Sequence, residues 1–133
     1  MKYLLDTNIC IALIRHKPKE LIDRLTACKP GEVGISTITM AELTHGAQKS
    51  SQSEQNMAAL EEFLLALEVI DFDQRAAIAY GYLRAYLERK GTPIGSMDML
   101  IAAQALSLEV TLVTNNTREF KRIPELQIVD WLA

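Results

Sequence analysis

Short apolar runs alternate along the chain with longer stretches in which apolar residues recur every three or four positions. Lys2 to Leu5 is brief and almost uniformly apolar, the mark of a buried strand. Ile9 to Arg15 reads as a helix, with Asp6 or Asn8 as its cap. Pro18 suits the first turn of a second helix, through Leu21, Ile22 and Leu25 to about Cys28. The turn Lys29-Pro30-Gly31 leads to a strand at Val33 to Ser36. From Thr39, the positions Met40, Leu43 and Ala47 predict a helix ending near Lys49. After a polar break at Ser50 to Ser53, Met57, Leu60, Phe63, Leu64 and Leu67 fall on one face of a long helix. Val69-Ile70 is a short strand ending at Asp71. Asp73 starts a helix with Ala76, Ala77, Tyr80, Leu83 and Leu87 inward, and Lys90-Gly91 stops it with a basic last turn and a glycine. Ser96 caps a helix over Met97 to Leu108, and Val110 to Val113 is a strand. Thr114 to Arg122 is polar and partly helical, and Ile128-Val129 is a last strand.

Strands and helices thus follow the order β-α-α-β-α-α-β-α-α-β-α-β, which predicts an α/β fold with a central parallel sheet. In such sheets, sites form beyond the carboxyl ends of the strands. That rule singles out Asp6 and the residues after Ser36, Ile70 and Val113. A length of 133 residues with little glycine or proline suits one domain, residues 1–133.

The lysine at position 2 precedes an apolar run that Asp6 breaks, which is no secretory leader. No apolar stretch approaches the roughly 20 residues of a membrane span, so a cytoplasmic protein without membrane contact is expected. Cys10, Cys28, His16 and His45 stand in unrelated contexts, which speaks against a structural zinc site. A net charge of −3 argues against coating nucleic acid by bulk electrostatics but leaves local binding open. Basic residues gather at Arg15-His16-Lys17-Pro18-Lys19, at Arg84 with Arg89-Lys90, and at Arg118 with Lys121-Arg122. Each group reads first as a solvated helix end.

Three carboxylates carry the candidate chemistry, and each also has a plain structural reading. Asp6 can cap the helix after it, worth about 1 kcal/mol. Glu42, three residues after Thr39, fits a capping box. Asp98 falls in the first turn of its helix, where it complements the macrodipole by about 0.3–1 kcal/mol. Together they point elsewhere. Asp6 and Glu42 follow the first and second strands and share one rim if those strands are parallel. Asp98 is embedded in I-G-S-M-D-M-L-I-A-A-Q-A-L, where a carboxylate is poorly solvated unless paired, and a divalent cation would explain its place. After the fourth strand, L-V-T-N-N-T-R-E-F adds the oxygen donors Thr114, Asn115, Asn116 and Glu119. Such donors suit Mg²⁺ or Mn²⁺. With no histidine or cysteine placed as a nucleophile, water activated by such an ion is the economical chemistry for a phosphodiester.

The blocks L-L-D-T-N-I, I-S-T-I-T-M-A-E-L-T-H-G, G-S-M-D-M-L-I-A-A-Q-A and L-V-T-N-N-T-R-E-F resemble the four signature blocks of PIN-domain ribonucleases, in order and over the whole chain. The match is closest to VapC-type toxins of bacterial type II toxin–antitoxin pairs. The resemblance implies a PIN fold, a parallel sheet of order 3-2-1-4-5 flanked by helices. It implies a Mg²⁺- or Mn²⁺-dependent endoribonuclease, neutralised by a VapB-type antitoxin that reaches the acidic pocket with a basic side chain. It assigns catalysis and metal binding to Asp6, Glu42 and Asp98, with Thr7, Asn8, Thr114, Asn116 and Glu119 in support. The family frequently has an aspartate where this chain has Asn116. An amide is a weaker ligand, and Glu119 is the acid at hand to supply the missing charge.

The T-N-N-T-R-E-F block resembles that of toxins cutting initiator tRNA in the anticodon stem-loop, so a tRNA is the expected substrate. Family members are commonly homodimers, and the apolar face of residues 53–67 and the Tyr80, Tyr82, Tyr86 surface are the candidate contacts, although a buried core face explains most of the same residues. The alternative is a catalytically weak RNA- or antitoxin-binding module that keeps the fold, with Asn116 as its support. A receiver-like phosphoacceptor would want an acidic pair early and a lysine after a late strand, and this chain has neither.

Overall fold

The computed structural model describes residues 1–133. In chain order the elements are β1 (Tyr3–Leu5), α1 (Thr7–Arg15), α2 (Lys19–Thr26), β2 (Val33–Ser36), α3 (Thr37–Gln48) and α4 (Ser53–Leu64). They continue with β3 (Glu68–Ile70), α5 (Gln74–Lys90), α6 (Ser96–Leu108), β4 (Thr111–Val113), α7 (Thr117–Phe120) and β5 (Ile128–Val129). The strands form one parallel sheet of order β3-β2-β1-β4-β5, as the block order implied. Leu5 lies opposite Val113 and Ser36 opposite Ile70, so the chain leaves four neighbouring strands along one edge.

Period-two alternation divides the apolar residues between two cores. Leu4 and Leu112 face the layer that holds Leu83, Leu87, Ile101 and Phe120. Leu5, Val113, Val33 and Ile35 face the layer that holds Ile9, Leu13, Leu43 and Leu60. With helices on both faces the three central strands β2, β1 and β4 are largely buried, which is why they read as apolar runs, while β3 and β5 at the sides of the sheet are only partly covered. No helix is long and apolar enough to cross a membrane.

Three sequence expectations change. The capping box of Thr39 and Glu42 does not form, because Ser36 caps α3 and its Oγ accepts from the Ile38 N–H at 2.9 Å. The helix therefore starts two residues earlier than Thr39, and Glu42 moves into its second turn with no capping duty. Ser96 is the first residue of α6, and Gly95 takes the cap position without a side-chain bond. The apolar face of α4 is core: Leu60 is buried, and Met57, Phe63, Leu64 and Leu67 pack beside it. That face takes the core reading rather than the contact one, while Leu65, just past the helix, stays exposed. Tyr80 and Tyr86 are also packed against a core, while Tyr82 remains exposed. The left-handed Gly91, at φ 68°, ends α5 where the sequence placed it.

One polar clamp bears on the site edge. Gln104 on α6 is 1% exposed, and its Nε2 donates to the carbonyls of Ile70 at 3.2 Å and Asp71 at 3.0 Å. The next residue, Phe72, donates its N–H to Thr37 Oγ1 at 3.1 Å. The segment leaving β3 is thus pinned from both α6 and α3. The Gln104 Oε1 has no partner, so the clamp works through its donor side alone. Gln104→Leu removes two bonds but also an orphaned acceptor, so the expected loss is about 1 kcal/mol, at the low end for a lost buried partner. Urea unfolding reads this as a lower midpoint at unchanged slope. An unchanged midpoint would mean that the clamp bears no load.

Candidate active site

Asp6 ends the central strand with an extended backbone (φ −77°, ψ 170°), and its Oδ1 accepts from the Ile9 N–H at 2.8 Å. The capping reading is therefore correct as far as it goes. Yet the residue is 2% exposed, far drier than an ordinary cap. The nearby Thr114 side chain also favours the charged carboxylate. Thr114 ends β4, is itself fully buried, and accepts from the Asn116 N–H at 2.9 Å. The cap bond and the Thr114 side chain favour the charged form, but burial outweighs them. The Asp6 carboxyl is pushed up to about 6, with the charges of Asp98 and Glu42 adding to the burial effect.

Glu42 faces the same edge from α3. Thr7 Oγ1 donates to Glu42 Oε1 at 2.6 Å and lies 3.1 Å from the Thr39 hydroxyl. A hydroxyl has one proton to give, so with Thr7 committed to Glu42, Thr39 donates to Thr7. Thr39 is fully buried, which makes this chain of hydroxyls a fixed support for the Glu42 carboxylate. Asp98 stands half-buried in the first turn of α6. Burial raises its carboxyl, and the charges of Glu119 and Glu42 raise it further. The Asn116 Nδ2 donates to Glu119 Oε2 at 3.3 Å. The amide of Asn116 thus holds the acid three residues later.

The residues singled out in the sequence come together in unequal ways. Thr7, Asn8, Glu42 and Asp98 line one open cleft of about 570 Å³, and Asp6 lies behind it. As they stand, no three of the acids gather closely enough around one point to ligate a single ion. The match to a divalent cation is one of chemistry and charge. The donors are oxygens, two of the carboxyls are held up by desolvation, and their neighbours are negative. The ion pairs of the structure, Lys2 with Glu32 and Arg84 with Glu88, lie elsewhere. Such a set fits a hard divalent cation.

Of the other wall, the sequence singled out Arg15 within a basic group but not His45 or Lys49. Arg15, His45 and Lys49 line the same cleft as Glu42 and Asp98. The signal was available in the spacing: Glu42, His45 and Lys49 recur at three and four residues, one face of a helix.

A family model described as PIN domain matches residues 3–126. The chain is 47% identical over 131 residues to a protein of Salmonella typhimurium named tRNA(fMet)-specific endonuclease VapC, covering 98% of each. It is 46% identical over 132 residues to Ribonuclease VapC2 of Rickettsia felis, again covering 98% of each. Its fold is similar to that of a chain in the DNA-bound VapBC complex of Salmonella typhimurium, with a TM-score of 0.95, 47% identity and 98% of each chain covered.

The buried carboxyl makes stability depend on pH. Between the ordinary aspartate value of 3.8 and about 6, the unfolded chain ionises while folded Asp6 holds its proton, so stability falls as pH rises through that window. Asn caps a helix as well as Asp does, so Asp6→Asn keeps the bond to Ile9 and removes the cost. In EDTA at pH 7.5 the variant should be more stable by about 1–3 kcal/mol, with the difference fading toward pH 4. Chemical denaturation at the two pH values measures this. Equal stability of parent and variant at pH 7.5 would show that Asp6 ionises without cost.

Proposed function

This chain belongs to the PIN-domain family, and on that premise we propose that it is the toxin of a type II toxin–antitoxin pair, an endoribonuclease that stops translation and growth. The observation that carries the reading is the desolvated Asp6 on the sheet edge with Glu42 and Asp98 beside it and no protein cation paired to them. The whole of residues 1–133 acts as one PIN domain in the cytoplasm. The substrate is RNA, and initiator tRNA is the proposed target, supported by the near-full-length identity to a tRNA(fMet)-specific endonuclease. The inhibitor is a VapB-type antitoxin, supported by the likeness to VapBC complexes. In this reading the toxin is a homodimer, and Ile78 and Tyr82, exposed one turn apart on α5, are with Leu65 among the exposed apolar side chains available for that contact.

Activity depends on a divalent metal, and Mg²⁺, with Mn²⁺ as a substitute, is the proposed ion. Asp6, Glu42 and Asp98 would hold it, and when bound it supplies activation of a water molecule and neutralisation of charge on the leaving oxygen. The chain's own part is orientation. Thr39 and Thr7 keep Glu42 turned to the cleft, while Thr114 and the α1 N-terminus fix Asp6. Glu42 and Asp98 line the cleft and so meet the substrate, with Asp6 behind them. Asn116 keeps Glu119 in place as a fourth acid acting on Asp98. This support for Glu119 favours hydrolysis over the binding-only alternative, which drew on Asn116. Attack by an outside water spares the 2′-hydroxyl and leaves a 5′-phosphate and a 3′-hydroxyl.

Asp98→Asn is the direct test, since it removes one charge and little volume. Purified variant should keep its circular dichroism spectrum while RNA cleavage falls at least about a hundredfold, the size expected when a metal-site group is lost. Parent activity should vanish in EDTA and return with Mg²⁺. Cleavage by the variant at the parental rate would place the chemistry elsewhere.

A further inference from the structure

We propose that Arg15, His45 and Lys49 form a phosphate-gripping lip that holds the RNA backbone beside the scissile bond. The proposal rests on the ribonuclease reading and adds how the substrate is held. A chain of net charge −3 with an acidic centre repels a polyanion, so cations must act locally if RNA is to reach the acids. These three side chains are exposed and line the same cleft as Glu42 and Asp98. None takes part in an ion pair, since those of the structure join Lys2 to Glu32 and Arg84 to Glu88. The charges of Arg15 and Lys49 are therefore available to a ligand, and the His45 ring adds an N–H donor beside them.

The arrangement repeats on both helices. On α1, Asn8 faces the cleft near the sheet edge and Arg15 closes the far end. On α3, Glu42 is the near residue, His45 follows, and Lys49 caps the far end. Each near and far pair is seven residues apart, a climb of about 10 Å along a helix. A strand with one phosphate at the acids therefore has its next phosphates within reach of the basic ends. Between them Gly46 lines the cleft, and a Cβ there would meet nothing within 4 Å, which leaves the floor open for a strand. Arg15 and Lys49 also complement the C-terminal ends of their helices. That role alone needs no shared cleft, and it would show in stability rather than in RNA binding.

Binding is measured with a fluorescein-labelled RNA hairpin on the Asp98→Asn chain in fixed Mg²⁺, over a range of KCl. Adding Arg15→Gln and Lys49→Gln should weaken binding and flatten the plot of log affinity against log salt by about 1.4, roughly 0.7 per lost phosphate contact. Arg15→Lys with Lys49→Arg should keep the parental slope. Arg89→Gln with Lys90→Gln changes net charge by the same amount at the end of α5 and should leave the slope alone. An unchanged slope for the Arg15 and Lys49 pair overturns the proposal, as does an equal loss for the Arg89 and Lys90 pair, which would mean bulk electrostatics. An unchanged RNA slope with lost affinity for the antitoxin would assign the lip to the protein partner and also overturn it. Cleavage by the Asp98-intact chain, with and without EDTA, reports separately on the ribonuclease reading.

Discussion

A carboxylate without water at the end of the central strand is the constraint around which the site is organised. Asp6 is almost wholly buried, and its cap bond and the Thr114 side chain do not offset the cost of its charge. A group held this way is stable in one of two states, protonated or neutralised by a cation. The first is inert toward a phosphodiester. The second requires other oxygen donors nearby, and the fold brings Glu42 and Asp98 to the same edge.

The parallel order β3-β2-β1-β4-β5 is what makes this convergence possible. With β1 central, the junctions after β1, β2 and β4 are neighbours, and α6 enters beside them. Each junction does two jobs. Asp6 caps α1 and supplies charge, Ser36 caps α3 and so frees Glu42 from capping, and Thr114 holds Asp6 while anchoring the Asn116 turn. The buried Gln104 and Thr37 fix the segment leaving β3, so the edge is held from outside as well. The basic side chains at the far ends of α1 and α3 then complete a cleft that is acidic within and basic at its lip.

Much of this could be read from the residues. Apolar runs bounded by acids marked the strands, and their spacing marked the helices, because burial on both faces leaves that imprint. Asp6 and Asp98 stood out as charges in apolar surroundings. For Glu42 the mistaken reading was the structural one that competed with the site, not the place on the rim that singled it out. T-x-x-E looks like a capping box wherever it occurs, and only the three-dimensional fold shows that Ser36 has taken the cap. The hydroxyl chain from Thr39 through Thr7 to Glu42 was illegible, since it joins residues 32 and 35 positions apart. The face of α4 illustrates the same limit: an apolar stripe does not say whether a core or a second copy covers it.

The central claim is that Asp6, Glu42 and Asp98 act as one cation site whose innermost carboxyl is still half protonated at about pH 6. Titration calorimetry of Mn²⁺ at pH 6, in buffers of different ionisation enthalpy, tests it directly. With the Asp6 carboxyl pushed up to about 6, binding should release about half a proton per ion at that pH, fading toward zero by about pH 8. Asp6→Asn should release none. Binding without proton release at pH 6, or release that survives in Asp6→Asn, would contradict the account.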